Sequence, residues 1–189
     1  MAEKPTFFTR RGDDGTTTIY GQTERVPKYH PRPEAYGAID EAQAALGVLR
    51  ASACTPHTAE LLIRVERDLY RMMGELAVAE GVSLAAAPIG VEDVAWLEGV
   101  TAEIGERTGP FRGFVLPGDT LTGAQAHVAR TVIRRAERRV AHLHHTGELG
   151  NPAILQYLNR LSSLLFVLAL YEDRQGGVQS PTYAKAETD

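Results

Sequence analysis

The 189-residue chain has one cysteine, one tryptophan and no surplus of positive charge. Because Cys54 stands alone, an intramolecular disulfide and a multi-cysteine zinc site are both excluded, and a reducing compartment is the natural setting. Twenty Lys and Arg against 24 Asp and Glu leave a formal net charge of −4. That balance argues against a protein that coats nucleic acid, which needs a broad cationic surface. Long apolar runs are also missing. The longest, Leu164 to Tyr171, is far shorter than the roughly 18 residues of a membrane span. Met1 to Arg10 carries no apolar stretch of signal-peptide length. A soluble, cytoplasmic protein is expected.

Several catalytic signatures are absent as well. No two glycines are separated by a single residue, so there is no dinucleotide fingerprint, and without a Gly-Lys pair there is no Walker A loop. Asp13-Asp14-Gly15 opens like a calcium loop, yet the glycine required at position 6 is Thr18. No Gly-x-Ser-x-Gly elbow occurs, and Cys54 lacks an adjacent base, which leaves covalent catalysis without support. His142, His144 and His145 point in three directions on a helix, so they read as a solvated helix end that complements the dipole.

What is present is helical periodicity behind a polar leader, Thr6 to Pro33. The leader carries Gly12, Gly15, Gly21, a run of threonines and prolines at 27, 31 and 33, and reads as loop. Helix one is predicted from near Pro33 and helix two from about Thr58 to Glu80, with Leu62, Val65, Leu69, Met72 and Leu76 on one face. Helix three is predicted from Val91 to Arg107, helix four from Leu121 to His145, and helix five from Pro152 to Arg174. The only strand candidates are Gly113 to Leu116 and Thr17 to Tyr20. These elements predict an all-α, five-helix up-and-down bundle over residues 1–175, with the Gly/Thr-rich leader as a loop at 6–33 and a mobile tail at 176–189.

Helix four holds the most informative pattern, ARTVIRRAERRV. At about 100° per residue, Arg134, Arg138, Glu137 and His127 fall within about 80° of Arg130. Val128, Ala129, Val132, Ile133, Ala136, Val140 and Leu143 are expected on the opposite face. Arginines at four-residue spacing repel by a few tenths of a kcal/mol per pair, roughly, when exposed, so a counter-charge is needed. The row reads either as a solvated face or as a polyphosphate clamp, because guanidinium forks match phosphate oxygens. The Gly- and Thr-rich leader, with Lys28, supplies backbone N–H groups and hydroxyls for the same anion.

The segments TRRGDDGTT, RVPKYHPRPEAYGAIDEAQAALG, FVLPG, ARTVIRRAERRV and YLNRLSSLLFVLALYED, in that order from Thr9 to Asp173, resemble the PduO-type ATP:cob(I)alamin adenosyltransferases. The resemblance implies a homotrimer with active sites between subunits and transfer of the 5′-deoxyadenosyl group of ATP to cob(I)alamin, with Mg²⁺ accompanying ATP. It implies ATP contacts from Thr9, Arg10, Arg11, Gly12, Thr17, Thr18, Lys28, Arg134, Arg135, Glu137, Arg138 and Asn159, with Arg134, Glu137 and Arg138 closest to the chemistry. It further implies an intersubunit salt bridge between Asp40 and Arg130, and corrin contact by Phe114, whose alternative reading is an ordinary core phenylalanine. A cobalamin reductase and an adenosylcobalamin-dependent mutase are the implied partners; metal ligands are not assigned. Arg11, Ser163, Asp119 and the Gln43-Ala44 pair depart from the family's usual residues. A non-catalytic sensor or chaperone of ATP or cobalamin, and a purely structural scaffold, are the alternatives.

Overall fold

The computed structural model describes residues 7–185 except 53, 80, 83 and 85. Five helices carry the chain: α1 (Pro31–Ala51), α2 (Pro56–Leu76), α3 (Val91–Thr108), α4 (Leu121–His145) and α5 (Pro152–Gln175). Ahead of them a small antiparallel hairpin pairs β1 (Thr16–Thr18) with β2 (Arg25–Pro27), Thr17 opposite Val26. The leader is therefore a hairpin rather than the loop its composition suggests, and the Thr17 to Tyr20 candidate is shifted back by a residue or two. Of the Gly113 to Leu116 candidate only one bridge forms, between Val115 and Tyr183.

Helix starts follow local capping chemistry. Proline is tolerated where no intrahelical N–H partner exists, so α1 begins at Pro31, two residues before the expected start, with His30 accepting from the Arg32 N–H. Likewise α2 begins at Pro56, with the Thr55 hydroxyl accepting from the Thr58 N–H. It ends at Leu76 because the leader captures the chain that follows: Tyr20 N–H donates to the Ala77 carbonyl at 2.9 Å, and Ala79 N–H to the Tyr20 carbonyl at 2.8 Å. Glu80, the predicted end, lies outside the described residues.

In the bundle α4 packs between α1 and α5, with α2 against α1 and α3 against α5. Leu46, Leu69, Leu97, Ile133 and Leu161 are fully buried among these helices, each contributing roughly 1.5–3 kcal/mol of burial. By length and composition α5 could cross a membrane, but here its apolar side chains are the core. Polar ties fix the outer helices. Tyr157 of α5 donates to Asp68 of α2 at 2.9 Å, and Arg71 bridges Asp68 and Asp93 of α3 at 2.8 and 3.0 Å. Burial and the nearby Asp68 push the Tyr157 phenol well above its usual range, which keeps it a donor.

Beyond Gly176 the chain, read from the sequence as a mobile tail, hydrogen-bonds back at residues 182–184 to the connection between α3 and α4. The last part of that predicted tail, 186–189, lies outside the described residues.

Candidate functional site

Hairpin geometry organises the leader. Asp14 accepts from the Thr16 N–H at 2.9 Å and from its hydroxyl at 2.7 Å, which closes the turn before β1 and holds the Asp14 carboxyl below the usual range. Arg25, across the hairpin, donates to the carbonyls of Arg11 and Thr16 and to the Thr16 hydroxyl. One guanidinium thus pins three points of a loop that has no core of its own. Arg10 sits at φ 61°, a left-handed conformation unusual for a residue with a side chain. A Cβ on Gly12 would come within 3.1 Å of the Lys28 ammonium and 3.3 Å of the Thr16 carbonyl, a tight fit. Lys28 therefore crosses the loop directly over Gly12. Thr9, Arg10, Arg11 and Thr18 are exposed, and Gly12 and Thr17 half-buried.

The outer surface of α4 is divided by charge. On its α1 side, Arg135 pairs with Glu41 at 2.6 Å and Arg139 with Glu34 at 3.2 Å. On its α5 side, Glu137 accepts from the Asn159 amide at 2.9 Å, which joins two residues singled out from distant segments. Between these borders Arg134 and Arg138 are exposed, and among the described residues neither has a carboxylate partner. On the α1 side a cleft of about 530 Å³ is lined by Tyr29 of the leader, Glu34 of α1, and Arg135, Arg138, Arg139 and His142 of α4; Arg134 lies outside it. A slightly larger cavity of about 580 Å³ beside the segment following α2 holds none of the predicted site residues. Its Arg32, Glu75 and Asn151 are already engaged with backbone and one another.

Two sequence assignments on α4 need correction. His127 was expected in the exposed arginine row but is 3% exposed, stacked edge-on against Phe166. Its Nδ1 accepts from Arg130 Nε at 3.4 Å, while Nε2 has no partner among the described residues. Desolvation and the neighbouring Arg130 hold its imidazole below the ordinary range. Val128, expected on the buried face, is 58% exposed. The groove between α4 and α5 takes in His127, whereas Val128 lies past its edge.

Asp40 is exposed on α1 and Arg130 half-buried on α4, and the two form no ion pair within the chain. Phe114 is 87% exposed on the connection between α3 and α4, so its reading as a core phenylalanine fails. Cys54 donates to the Arg50 carbonyl, and burial first, then Glu172, raises its thiol, which leaves it a poor nucleophile. Arg25, Glu41, Glu34 and Tyr29 escaped the sequence reading. Arg25 could be found only by knowing the hairpin register, and the two glutamates only by knowing that α1 lies against α4.

A five-helix bundle preceded by a Gly/Thr hairpin belongs to the class of all-α helical-bundle proteins, distinct from P-loop and dinucleotide folds. Within that class the family is defined: the model of the Cobalamin adenosyltransferase family matches residues 7–172, and the chain belongs to that family. It is 41% identical over 170 residues to the Cobalamin adenosyltransferase of Cupriavidus metallidurans, covering 89% of each. It is 39% identical over 168 residues to the Corrinoid adenosyltransferase PduO of Citrobacter freundii, covering 88% of this chain but 50% of that one. The chain thus spans about half the length of that relative. Its fold superposes with TM-score 0.86 and 28% identity on a variant PduO-type ATP:corrinoid adenosyltransferase from Lactobacillus reuteri complexed with cobalamin and ATP, covering 96% of this chain and all of the other.

Proposed function

We propose that the protein transfers the 5′-deoxyadenosyl group of ATP to the cobalt of cob(I)alamin, giving adenosylcobalamin and triphosphate. The observation that carries this reading is the pair Arg134 and Arg138, exposed and without carboxylate partners between two ion-paired borders. Reduced cobalamin as substrate is the nucleophile, so the chain needs no base. A cobalt–C5′ bond forms as the C5′–oxygen bond breaks, and the electron pair leaves with the triphosphate. Arg134, Arg138 and Lys28 balance the charge that the leaving group gains. Thr9, Arg10, Arg11, Gly12, Thr17 and Thr18 wrap the phosphates. Glu137, fixed by Asn159, holds a polar group of the nucleotide.

Arg135 is the weakest of the assigned ATP residues, since Glu41 already neutralises it. Among the described residues no cluster of three or more His, Cys, Asp or Glu is assembled to hold a divalent ion. Magnesium is accordingly assigned to ATP itself, with phosphate oxygens and water as ligands, and no step above passes through it. Phe114 takes the lower face of the corrin and excludes water and the axial ligand, which favours the reduced cobalt the reaction consumes. The leader and the arginine row are assigned to one site completed between subunits of a homotrimer, with Asp40 and Arg130 pairing across the interface. A reductase supplies the electrons, and an adenosylcobalamin-dependent mutase consumes the product in a reducing cytoplasm.

Arg134→Ala and Arg138→Ala test the reading directly. Each removes a charge-assisted contact and should lower kcat/KM for ATP by about tenfold or more. Wild-type kinetics in both would remove the clamp.

A further inference from the structure

We propose that Asp119 is a positioning residue: through Thr182 it lays the C-terminal segment as a strap along the loop that carries Phe114, and thereby fixes the aromatic face offered to the corrin. This rests on the corrin reading of Phe114 given above and adds to it the element that holds the loop.

The loop needs such an element. Between α3 and α4 the chain passes through Gly113 at φ 85° and Gly118 at φ 130°, left-handed conformations that glycine adopts readily and with no Cβ to restrict the backbone. Phe114, at its outer point, is 87% exposed and gains no rigidity from packing. What orders the segment is a short antiparallel pairing with the tail. Leu116 N–H donates to the Thr182 carbonyl and Ala184 N–H to the Phe114 carbonyl, each at 2.8 Å, around the Val115–Tyr183 bridge. Arg112 N–H donates to the Tyr183 hydroxyl at 3.3 Å. Residues on both sides of Phe114, and its own carbonyl, are held.

Asp119 locks that pairing in register. Its carboxylate accepts from the Thr182 N–H at 2.9 Å and from the Thr182 hydroxyl at 2.6 Å. The carboxylate is itself anchored, because the next residue, Thr120, caps α4 and donates to Asp173 at 2.7 Å. It also lies at the positive end of the α4 dipole, where a negative charge is favoured. Both carboxylate oxygens of Asp119 are engaged by the one residue Thr182. A ligand site populated only part of the time binds with its affinity reduced by that fraction. By holding Phe114 in one pose, the strap raises the fraction competent to meet a corrin while leaving the ATP side untouched.

The test uses the full chain, backbone amide exchange, and kinetics with pre-reduced cobalamin. Asp119→Ala should speed exchange of the Leu116 and Ala184 amides by about tenfold, and raise KM for the reduced corrinoid several-fold. KM for ATP and kcat at saturating corrinoid should stay unchanged. Asp119→Asn, which keeps an acceptor for Thr182, should restore both exchange and KM. Unchanged amide exchange in Asp119→Ala, or faster exchange with an unaltered corrinoid KM, would overturn the proposal. Phe114→Ala separates the two readings. If it leaves both the KM for reduced corrinoid and the turnover from cob(II)alamin with a reductant at the wild-type values, the corrin role of Phe114 fails and the positioning role with it, while amide exchange still reports whether the strap exists.

Discussion

At the scale of single residues, the chemistry turns on which charges are answered and which are not. Arg135 and Arg139 meet carboxylates of α1, whereas Arg134 and Arg138 meet none among the described residues, which is why the latter two carry the proposed phosphate contact. His127 shows the opposite arrangement, a titratable group withdrawn from solvent. Desolvation first, then Arg130, lowers its affinity for a proton in the folded state below its ordinary value of 6.5. The unfolded chain therefore binds a proton near pH 6.5 that the folded chain takes up only at lower pH. Above that value the histidine costs nothing, and as pH falls through it the folded state loses stability. Thermal melts should show a fall in Tm between about pH 7 and pH 5.5 that is reduced in His127→Gln. Equal pH slopes in the two proteins would contradict this account of the buried imidazole.

At the scale of elements, much was legible and the failures have physical causes. The ends of α4 and the start of α3 could be read because cap residues and apolar periodicity agree there: Thr120 caps α4, and Gly90 precedes α3. The end of α2 could not, because it is set by the isolated bridge from Tyr20 of the leader, more than fifty residues away, and no local signal encodes that contact. The leader was legible as a non-helical segment by its glycines, threonines and prolines but not as a hairpin, since strands of three residues leave almost no alternation to detect. Arg25 illustrates the consequence. As an isolated arginine it is unremarkable in sequence; in register opposite Thr18 it becomes the clasp of the loop. Arg25→Ala should raise KM for ATP several-fold while the helical circular dichroism and the corrinoid KM stay as in the wild type. A loss of helix content instead would mean that Arg25 supports the bundle rather than the loop.

At the scale of the whole molecule, a net charge of −4 conceals a concentration of positive charge. Of the 20 Lys and Arg, five fall between Arg130 and Arg139, and Arg10, Arg11 and Lys28 lie in the leader. Such a cluster suits one triphosphate. Neither Asp40 nor Arg130 finds an ionic partner in its own chain among the described residues, which is the arrangement expected of a pair completed by a second subunit. Single charge reversals, Asp40→Arg or Arg130→Asp, should weaken assembly in sedimentation experiments, and the double reversal should restore it; independent, additive losses would deny the pairing. Family, fold and the unneutralised arginines support the proposed adenosyl transfer. The most direct measurement is incubation of the protein with ATP, Mg²⁺ and chemically reduced cobalamin, following the absorbance spectrum and the released phosphates together. The account predicts the adenosylcobalamin spectrum with one triphosphate released for each adenosylcobalamin formed. A nucleotide-dependent rise in Tm with neither product would contradict it and leave a protein that binds its ligands without joining them.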